Sequence, residues 1–290
     1  MRANIVLGLC CLLAIAIVAT TSSAKSHQGV PKSNQVDIDY AFPKSGITLH
    51  EPVVAMFSVH NGLSRPITLT LGAQSIQFFE FSLTTPDGQV LKRSFPLGWD
   101  PAEVVIFNGE GEAVVAPGAV YEHPLLLNRW FSFETPGTYS LTSQLTTNIE
   151  VSGGQSIPPQ SRTIRLDIKP RDPVRLKKVC EELARQVDLA PNAEAAQNPA
   201  LRLGYIDDPV AVPYLAEVLE ENKLIDHLVI PGLERIGTSE AVEVLLSGLH
   251  SELGDRADLS RQALTRMQER ISDPNLRETV KRVLTPTPSD

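Results

Sequence analysis

Six histidines are the residues of this sequence best able to act as acids, bases or metal ligands near neutral pH. His50 and His60 bracket one predicted strand, and an extended chain at ~3.3 Å per residue would hold them roughly 30 Å apart. The remaining histidines are far from one another along the chain: His27, His123, His227 and His250. We therefore expect surface or helix-capping roles for all six and no metal site.

No motif of an established catalytic centre is present. The chain lacks a Gly-x-Ser-x-Gly nucleophile elbow, a His-Glu-x-x-His motif, a glycine-rich phosphate loop and a Cys-x-x-Cys pair. Residues 108–112 (Asn-Gly-Glu-Gly-Glu) offer two carboxylates, fewer than the roughly six to eight oxygens that calcium takes. We interpret this segment as a solvated hairpin loop. The sequence thus predicts neither a catalytic residue nor a cofactor, and we expect a protein that is not an enzyme.

Cys180 lies on a predicted helix close to Arg175, Lys177 and Lys178. Basic neighbours can lower the pKa of a thiol and make it reactive. No histidine is close in sequence to serve as a base, so we interpret Cys180 as a small apolar core residue and keep a reactive thiol as the alternative.

The charge balance restricts the class of partner. The 290 residues include 26 Lys and Arg and 34 Asp and Glu, a net charge of −8. This acidic balance argues against nucleic acid or an anionic membrane as the main partner and leaves a protein partner as the expectation. Two of the three cysteines, Cys10 and Cys11, lie in the apolar N-terminal segment, which excludes a disulfide framework for the rest of the chain.

The N-terminal segment predicts export. Arg2 precedes an apolar stretch over residues 5–19, and small residues, Ser22 and Ala24, follow at the spacing of a cleavage site. We expect a signal peptide over residues 1–24, no stable membrane span after its cleavage, and a periplasmic or extracellular protein. A retained anchor is the alternative, although a span needs roughly 20 apolar residues. Residues 25–35 are polar and are predicted to be a linker.

Residues 36–170 are predicted to form an all-β, immunoglobulin-like sandwich. Apolar and polar residues alternate at 36–42, 67–71 and 164–169, the period of strands with one buried face. Pro86-Asp87-Gly88 predicts a hairpin turn between residues 79–84 and 89–95. All 9 Phe and both Trp fall within residues 42–133, so we expect aromatic side chains to fill the core. Trp99 lies on a Pro- and Gly-rich segment and is predicted either to cap this core or to contact a partner.

Short motifs in this half carry a first family resemblance. They are residues 46–53 (Gly-Ile-Thr-Leu-His-Glu-Pro-Val), Asn61 at the end of the following strand, Pro117-Gly118, and residues 136–139 (Pro-Gly-Thr-Tyr). The pattern resembles secreted bacterial immunoglobulin-like domains of the proteinase-inhibitor type. The resemblance implies a sandwich fold and binding of a protein. A proteinase inhibitor acting through loops near Trp99 or residues 108–112 is therefore an alternative function.

Residues 171–284 are predicted to form an all-α solenoid, and residues 285–290 a disordered tail. Residues 209–219 and 239–249 align with a spacing of about 30 residues, and shorter echoes occur at 201–204, 233–237 and 264–267. Such a period indicates stacked helix pairs. Residues 204–215 (Gly-Tyr-Ile-Asp-Asp-Pro-Val-Ala-Val-Pro-Tyr-Leu) resemble the HEAT-like repeats of phycobilisome-lyase-type proteins. Asp208 is expected to cap a helix that begins at Pro209.

Two segments depart from the repeat pattern. Pro231-Gly232 stands where the repeat family prefers alanines, and we expect a kink or a break there because interior proline costs a helix roughly 3 kcal/mol. Residues 189–199 are rich in Pro and Asn, so we expect an irregular first repeat.

The function that these patterns favour is that of an exported, non-enzymatic interaction or scaffold protein. On the second helices of the repeats, charged residues are predicted to face a protein partner: Arg202, Asp226, Glu234, Arg235 and Arg266. The alternative for these residues is a solvated charged face. A hydrolase or lyase is the least favoured function, since no constellation of residues for pigment attachment or catalysis accompanies the repeats.

Overall fold

The computed structural model describes residues 34–42, 46–72, 76–97, 111–220, 224–252 and 255–285. Residues from Asn34 onward form one compact unit. None of the helices in these ranges is long and apolar enough to cross a membrane. Trp99 and residues 1–33, 108–110 and 286–290, on which several predictions fall, lie outside the described residues.

The N-terminal part is a sandwich-like arrangement of strands, followed by a helical part. The described strands are β1 (Val36–Ala41), β2 (Ile47–Thr48), β3 (Val54–Asn61), β4 (Ile67–Thr70), β5 (Phe79–Thr84), β6 (Val90–Arg93), β7 (Glu112–Val115), β8 (Val120–Leu126), β9 (Gly137–Leu145), β10 (Ile149–Val151), β11 (Gln155–Ile157) and β12 (Ser161–Lys169). They form three sheets, ordered β1-β3-β8, β11-β10-β4-β7 and β2-β12-β9-β5-β6.

Alternation of apolar side chains sets the register of these sheets. In β1, Val36, Ile38 and Tyr40 are buried while their neighbours are exposed, and Tyr40 lies opposite Phe57 of β3. The predicted hairpin is confirmed by the antiparallel pairing of β5 with β6, in which Leu83 faces Leu91. A one-residue slip would expose every buried residue of a strand, so the pattern fixes one pairing.

Aromatic side chains form the core of the strand part, as expected. The rings of Phe57 and Phe79 meet edge to face with centroids 5.1 Å apart, and Phe81 meets Trp130 in the same way at 4.8 Å. All four rings are buried. Edge-to-face pairs of this kind add about 0.5–1.5 kcal/mol beyond the burial of their area.

Seven α-helices follow in the described residues. They are α1 (Pro173–Asp188), α2 (Ala193–Gly204), α3 (Val212–Glu220), α4 (Asp226–Ile236), α5 (Ser239–Gly248), α6 (Arg256–Met267) and α7 (Pro274–Leu284). In one row α2 packs against α4 and α4 against α6, while in the other α1 packs against α3 and α3 against α5. Asp172 caps α1, and Asp208 accepts a hydrogen bond from Val210 N at the start of a 3₁₀ turn, as predicted.

Of the kink or break expected at Pro231, a break does not occur: α4 continues through it to Ile236. The residue beside it has a packing role: a Cβ atom on Gly232 would lie 2.6 Å from the carbonyl oxygen of Gly204. Glycine at both positions therefore lets the backbones of α2 and α4 approach closely. The expectation of an irregular segment over residues 189–199 was also wrong in part, since α2 begins at Ala193 with the Asn192 side chain as its cap.

Candidate functional site

A cavity of about 460 Å³ lies where the strand part meets the helical part. Strand-part residues form one wall, among them His50, Asn128, Phe131 and Glu134, and the helical part contributes Tyr205, Asp207 and Arg235. Apolar rings beside a few polar groups, within this range of volume, are typical of binding sites. We call this cavity the cleft.

Close packing of α2 on α4 positions the helical wall of the cleft. Tyr205 is the C-cap residue of α2, and Arg235 lies in the last turn of α4. The Arg235 guanidinium carbon lies 4.5 Å from the centroid of the Tyr205 ring, and Nη2 donates a hydrogen bond to the carbonyl oxygen of Gly204. Contact with the ring face and with the end of α2 holds the orientation of this cation.

A short 3₁₀ turn, Leu127–Arg129, positions the opposite wall. The Asn128 side chain accepts a hydrogen bond from Val53 N at 2.6 Å, which ties the turn to the segment preceding β3. Trp130 and Phe131 follow the turn and are buried in the aromatic core, so they are core residues rather than exposed contacts. Phe131 also lines the cleft.

His50 lines the cleft in a strained backbone conformation. Its φ of 71° lies in the left-handed region, which residues other than glycine rarely adopt. The turn that imposes this conformation is held by hydrogen bonds from Leu49 N to Lys169 O and from Glu51 N to Thr48 O. From this turn the His50 side chain lines the cleft, and Glu51, the next residue, pairs with Arg175 of the helical part.

Two ion pairs join the strand part and its exit segment to the helices. Glu51, only 3% exposed, pairs with Arg175 of α1, and the Arg175 Nε to Glu51 Oε1 distance is 2.5 Å. Asp208, 2% exposed, pairs with Arg171 in the segment between β12 and α1. Both carboxylates also accept hydrogen bonds from backbone N–H groups, those of Thr48 and Val210. Each buried charge therefore has partners, the condition under which carboxylates tolerate burial.

Arg129 and Arg235 both interact with Tyr205. Burial lowers the pKa of these two arginines and of Arg202. The Tyr205 hydroxyl accepts a hydrogen bond from Arg129, which partly opposes the effect of burial on the pKa of that arginine. Arg202 lies in the last turn of α2, and its Nε is buried without a hydrogen-bond partner among the described residues. Arg266 differs, because hydrogen bonds to Glu234 raise its pKa.

The residues predicted to contact a partner fall into two groups. Arg235 lies on the Tyr205 ring and lines the cleft, and Arg202 lies in the last turn of α2. The other charges are engaged within the chain: Asp226 pairs with Arg256 at 3.0 Å, and Glu234 pairs with Arg266 at 2.8 Å. Trp99 is outside the described residues. A role in partner binding stays a prediction for all six residues.

The remaining candidates for chemistry are dispersed. Burial raises the pKa of the Cys180 thiol to about 12, with a further contribution from the charge of Asp208. Within the described ranges, no group of three or more His, Cys, Asp and Glu side chains could hold a metal ion. The part of the 108–112 segment that is described, Gly111 and Glu112, leads into β7.

Sequence reasoning did not identify Tyr205, Asp207, His50, Asn128 or Glu134 as members of one site. One signal was available for Tyr205, which is one of only two aromatic residues after Pro170 and follows directly on Gly204 of the repeat motif. The strand-part residues carried no such signal, because only the packing of the two parts brings them to the cleft.

No family model matches the chain, and no curated protein matches it. Solved structures with a similar chain path include the Bacillus subtilis sporulation control protein Spo0M, with 14% identity and a TM-score of 0.26 over 51% of this chain and 55% of that one. A PapD-like domain of human CEP192 has 12% identity and a TM-score of 0.24 over 53% of this chain and 96% of that domain.

Native alpha-2-macroglobulin from Escherichia coli, in a structure that spans domain MG7 to the C-terminus, is similar over 89% of this chain. It has 12% identity and a TM-score of 0.28, and the alignment covers 56% of its length. Each of these scores is below 0.5, and a likeness of this kind indicates no function.

Proposed function

We propose that this chain is an exported, non-enzymatic interaction protein that binds a segment of a protein partner in the cleft. The observation that carries the proposal is the cleft itself, a cavity of about 460 Å³ built by both parts of the chain. Leu97, which is exposed, provides apolar surface there beside the buried rings of Phe131 and Phe133, and His50, Asn128 and Arg235 provide polar groups. Apolar contact supplies affinity at such sites, and the few polar groups select the ligand.

The polar groups of the cleft suit binding better than catalysis. A nucleophile would need a base within hydrogen-bond reach, in an arrangement such as Ser132 with His50. Among the described lining residues, no hydrogen bond joins His50 to a hydroxyl group. Arg235 is held by Tyr205 and by the end of α2, which is the kind of pre-organised contact that lowers the entropic cost of binding.

The proposed architecture is an immunoglobulin-like sandwich followed by a HEAT-like solenoid. The row in which α2, α4 and α6 pack in succession supports the solenoid, as does the repeat of about 30 residues in the sequence. The apolar stretch over residues 5–19 supports export. A short solenoid attached to a sandwich offers a rigid scaffold, and the cleft lies where the two meet.

Site-specific photocrosslinking in the native envelope tests the proposal. A benzoylphenylalanine placed at Ser132, which lines the cleft, should give one saturable crosslinked product. The matched position is Ser156, an exposed residue of β11 that does not line the cleft, and it should not give that product. Equal labelling from both positions, or none from Ser132 at any protein level, would overturn the proposal.

A further inference from the structure

We propose that the partner segment binds in an extended conformation and pairs its main chain with residues 132–134. This inference rests on the proposed function, in which a protein segment occupies the cleft. It adds the conformation of that segment and the groups that recognise it, which are the main-chain N–H and carbonyl groups of Ser132 and Glu134.

The first argument is the main chain of residues 132–134, which line a wall of the cleft. Just before them, Phe131 N donates to the Leu127 carbonyl oxygen, and just after them, Thr135 N donates to the Tyr139 hydroxyl oxygen at 3.4 Å. In the part of the chain that the structure describes, no hydrogen bond engages the N–H or carbonyl groups of residues 132–134. Such groups require a partner, which either water or an added strand can supply.

The second argument is the conformation of this segment. Phe131 and Phe133 are buried while Ser132 and Glu134 are exposed, an alternation with the period of a strand. These four residues nevertheless belong to none of the described strands. Both buried rings make edge-to-face contacts with other aromatic rings of the core, at centroid distances of 6.5 and 5.3 Å. The rings anchor the segment in an extended conformation, so a pairing strand would find an edge already formed.

The third argument is the open space beside this edge. A second cavity, of about 290 Å³, shares Leu97, Phe131, Ser132 and Glu134 with the cleft. Part of its wall comes from β6 and the turn before it, including the half-buried Leu91. The two cavities therefore meet at the segment that carries the unpaired main-chain groups, and an added chain has room there.

An extended ligand fits these features better than a helix. Alternate residues of an extended chain direct their N–H and carbonyl groups to the same edge, so Ser132 and Glu134 offer two donors and two acceptors together. The main-chain groups inside a helix are already bonded to one another and could not pair with them. Alternate side chains of an extended ligand, about 6.6 Å apart, can reach into the cavities, where the exposed Leu97 offers apolar contact.

Amide hydrogen exchange in the full chain, followed by NMR, tests the inference. The probe is a nine-residue peptide of alternating threonine and valine, with a lysine at one end and a glutamate at the other. Without it, the amides of Ser132 and Glu134 should exchange rapidly. With it, their exchange should slow at least about tenfold, whereas Phe133, on the opposite edge, should keep its rate. Unprotected amides of Ser132 and Glu134 at millimolar peptide would overturn the inference.

A modified peptide separates main-chain pairing from side-chain contact. N-methylation of every threonine and valine keeps the side chains but removes the N–H donors of the ligand. Fluorescence anisotropy should show at least about tenfold weaker binding of this peptide, because several hydrogen bonds are lost together. Equal affinity of the two peptides would overturn the inference.

A proline variant tests the edge of the protein itself. Glu134→Pro removes an N–H that donates to no described residue, and the φ of Glu134 is not in the left-handed region. Proline also favours an extended conformation at the residue before it. The variant should therefore keep its melting temperature, yet bind the unmodified peptide at least about fivefold more weakly, since proline cannot donate and its ring obstructs the edge.

The matched control is Glu134→Ala, which removes the same side chain and keeps the N–H group. It should bind the peptide within about twofold of the unmodified chain. Equal affinity of the proline and alanine variants would contradict pairing at this edge. If proline lowers the melting temperature, the exchange measurement on the unmodified chain decides the matter.

The two proposals can fail separately. If photocrosslinking from Ser132 captures a partner while the peptide leaves the amides of Ser132 and Glu134 unprotected, only this inference falls. If Ser132 crosslinks nothing, the proposed function falls and this inference falls with it.

Discussion

Glu51 in the turn after β2 and Arg175 in α1 form an ion pair that joins the strand part to the helical part, with 3.2 Å between Arg175 Nη2 and Glu51 Oε2. The other Glu51 oxygen accepts hydrogen bonds from Thr48 N at 3.0 Å and Thr48 Oγ1 at 2.7 Å. One buried carboxylate therefore fixes both the strained turn at His50 and the first helix, and so supports one side of the cleft.

We expect Glu51→Ala to lower the free energy of unfolding by about 1–3 kcal/mol, because Thr48 and Arg175 lose their shared acceptor. Urea unfolding at pH 7 measures the change. The control Glu182→Ala removes a carboxylate from an exposed pair, Glu182 with Arg185, and should cost less than about 1 kcal/mol. Equal losses in the two variants would contradict a special role for Glu51.

A second prediction concerns Asp226, which sequence reasoning placed among the partner contacts. Asp226 and Arg256 are 16% and 10% exposed, and Arg256 also donates to the Leu219 carbonyl oxygen. Asp226→Ala should lower the free energy of unfolding by about 3–5 kcal/mol, since it leaves a buried cation without its partner. Arg266→Gln removes an exposed arginine from Glu234, which Arg270 also approaches at 3.7 Å, and should cost less than about 1 kcal/mol. Thermal melts compare the two, and similar melting temperatures would contradict the assignment.

The close contact between α2 and α4 predicts that a glycine-to-alanine substitution destabilises the protein, the opposite of its usual effect in a helix. Glycine to alanine inside an exposed helix usually stabilises it by about 1 kcal/mol. Gly232→Ala should instead lower the free energy of unfolding by about 1–3 kcal/mol, because the new methyl group meets the Gly204 carbonyl. The control Gln197→Ala changes an exposed residue of α2 and should alter the free energy of unfolding by no more than about 0.5 kcal/mol. A stabilised Gly232→Ala variant in urea titrations would disprove the close contact.

The Asp208 carboxyl predicts a loss of stability in acid. Burial opposes its ionisation, but hydrogen bonds from Arg171 and Val210 N outweigh burial and hold its pKa below the usual value. The native pKa is thus lower than the unfolded value of about 3.9, so this contribution is complete above about pH 4 and is lost as pH falls through the native pKa. Because Arg171 is exposed, solvent screening reduces the size of this contribution to stability.

Urea midpoints between pH 7 and pH 2 test this expectation. Asp208→Asn should be less stable than the unmodified chain at pH 7, and the two curves should converge as the pH falls. Glu278→Gln, which changes an exposed residue of α7, should instead run parallel to the unmodified chain. A gap between Asp208→Asn and the unmodified chain that stays constant down to pH 2 would contradict the prediction.

Cys180 should be inert in the folded protein. Burial raises the pKa of its thiol to about 12, so at pH 8 roughly one molecule in ten thousand carries the thiolate. Iodoacetamide labelling followed by peptide mass spectrometry reports Cys180 separately from Cys10 and Cys11. We expect Cys180 to be labelled in urea and not in buffer, and rapid labelling in buffer would restore the reactive-thiol alternative.

Local patterns predicted the elements whose determinants lie within a few residues. Alternation located β1 and the β5–β6 hairpin, since side chains on a strand take opposite faces in turn. Asp208 and Pro209 marked the start of a helical segment because a cap acts on the next two or three N–H groups. At Pro231 the propensity of one residue suggested a kink or a break, and no break occurs: α4 continues to Ile236, with Gly232 packed on Gly204.

By itself, the sequence determined the change from strands to helices near residue 170 and the aromatic core of the first part. It also named Arg202 and Arg235, because repeats place equivalent residues on equivalent turns. Only the tertiary structure decided that Arg235 lies on Tyr205 and that Asp226 and Glu234 are paired within the chain. It also decided that His50 and Asn128 share a cleft with Arg235 and Tyr205. These contacts join residues about 30 to 185 positions apart, and such pairings depend on how whole elements pack, which no local period encodes.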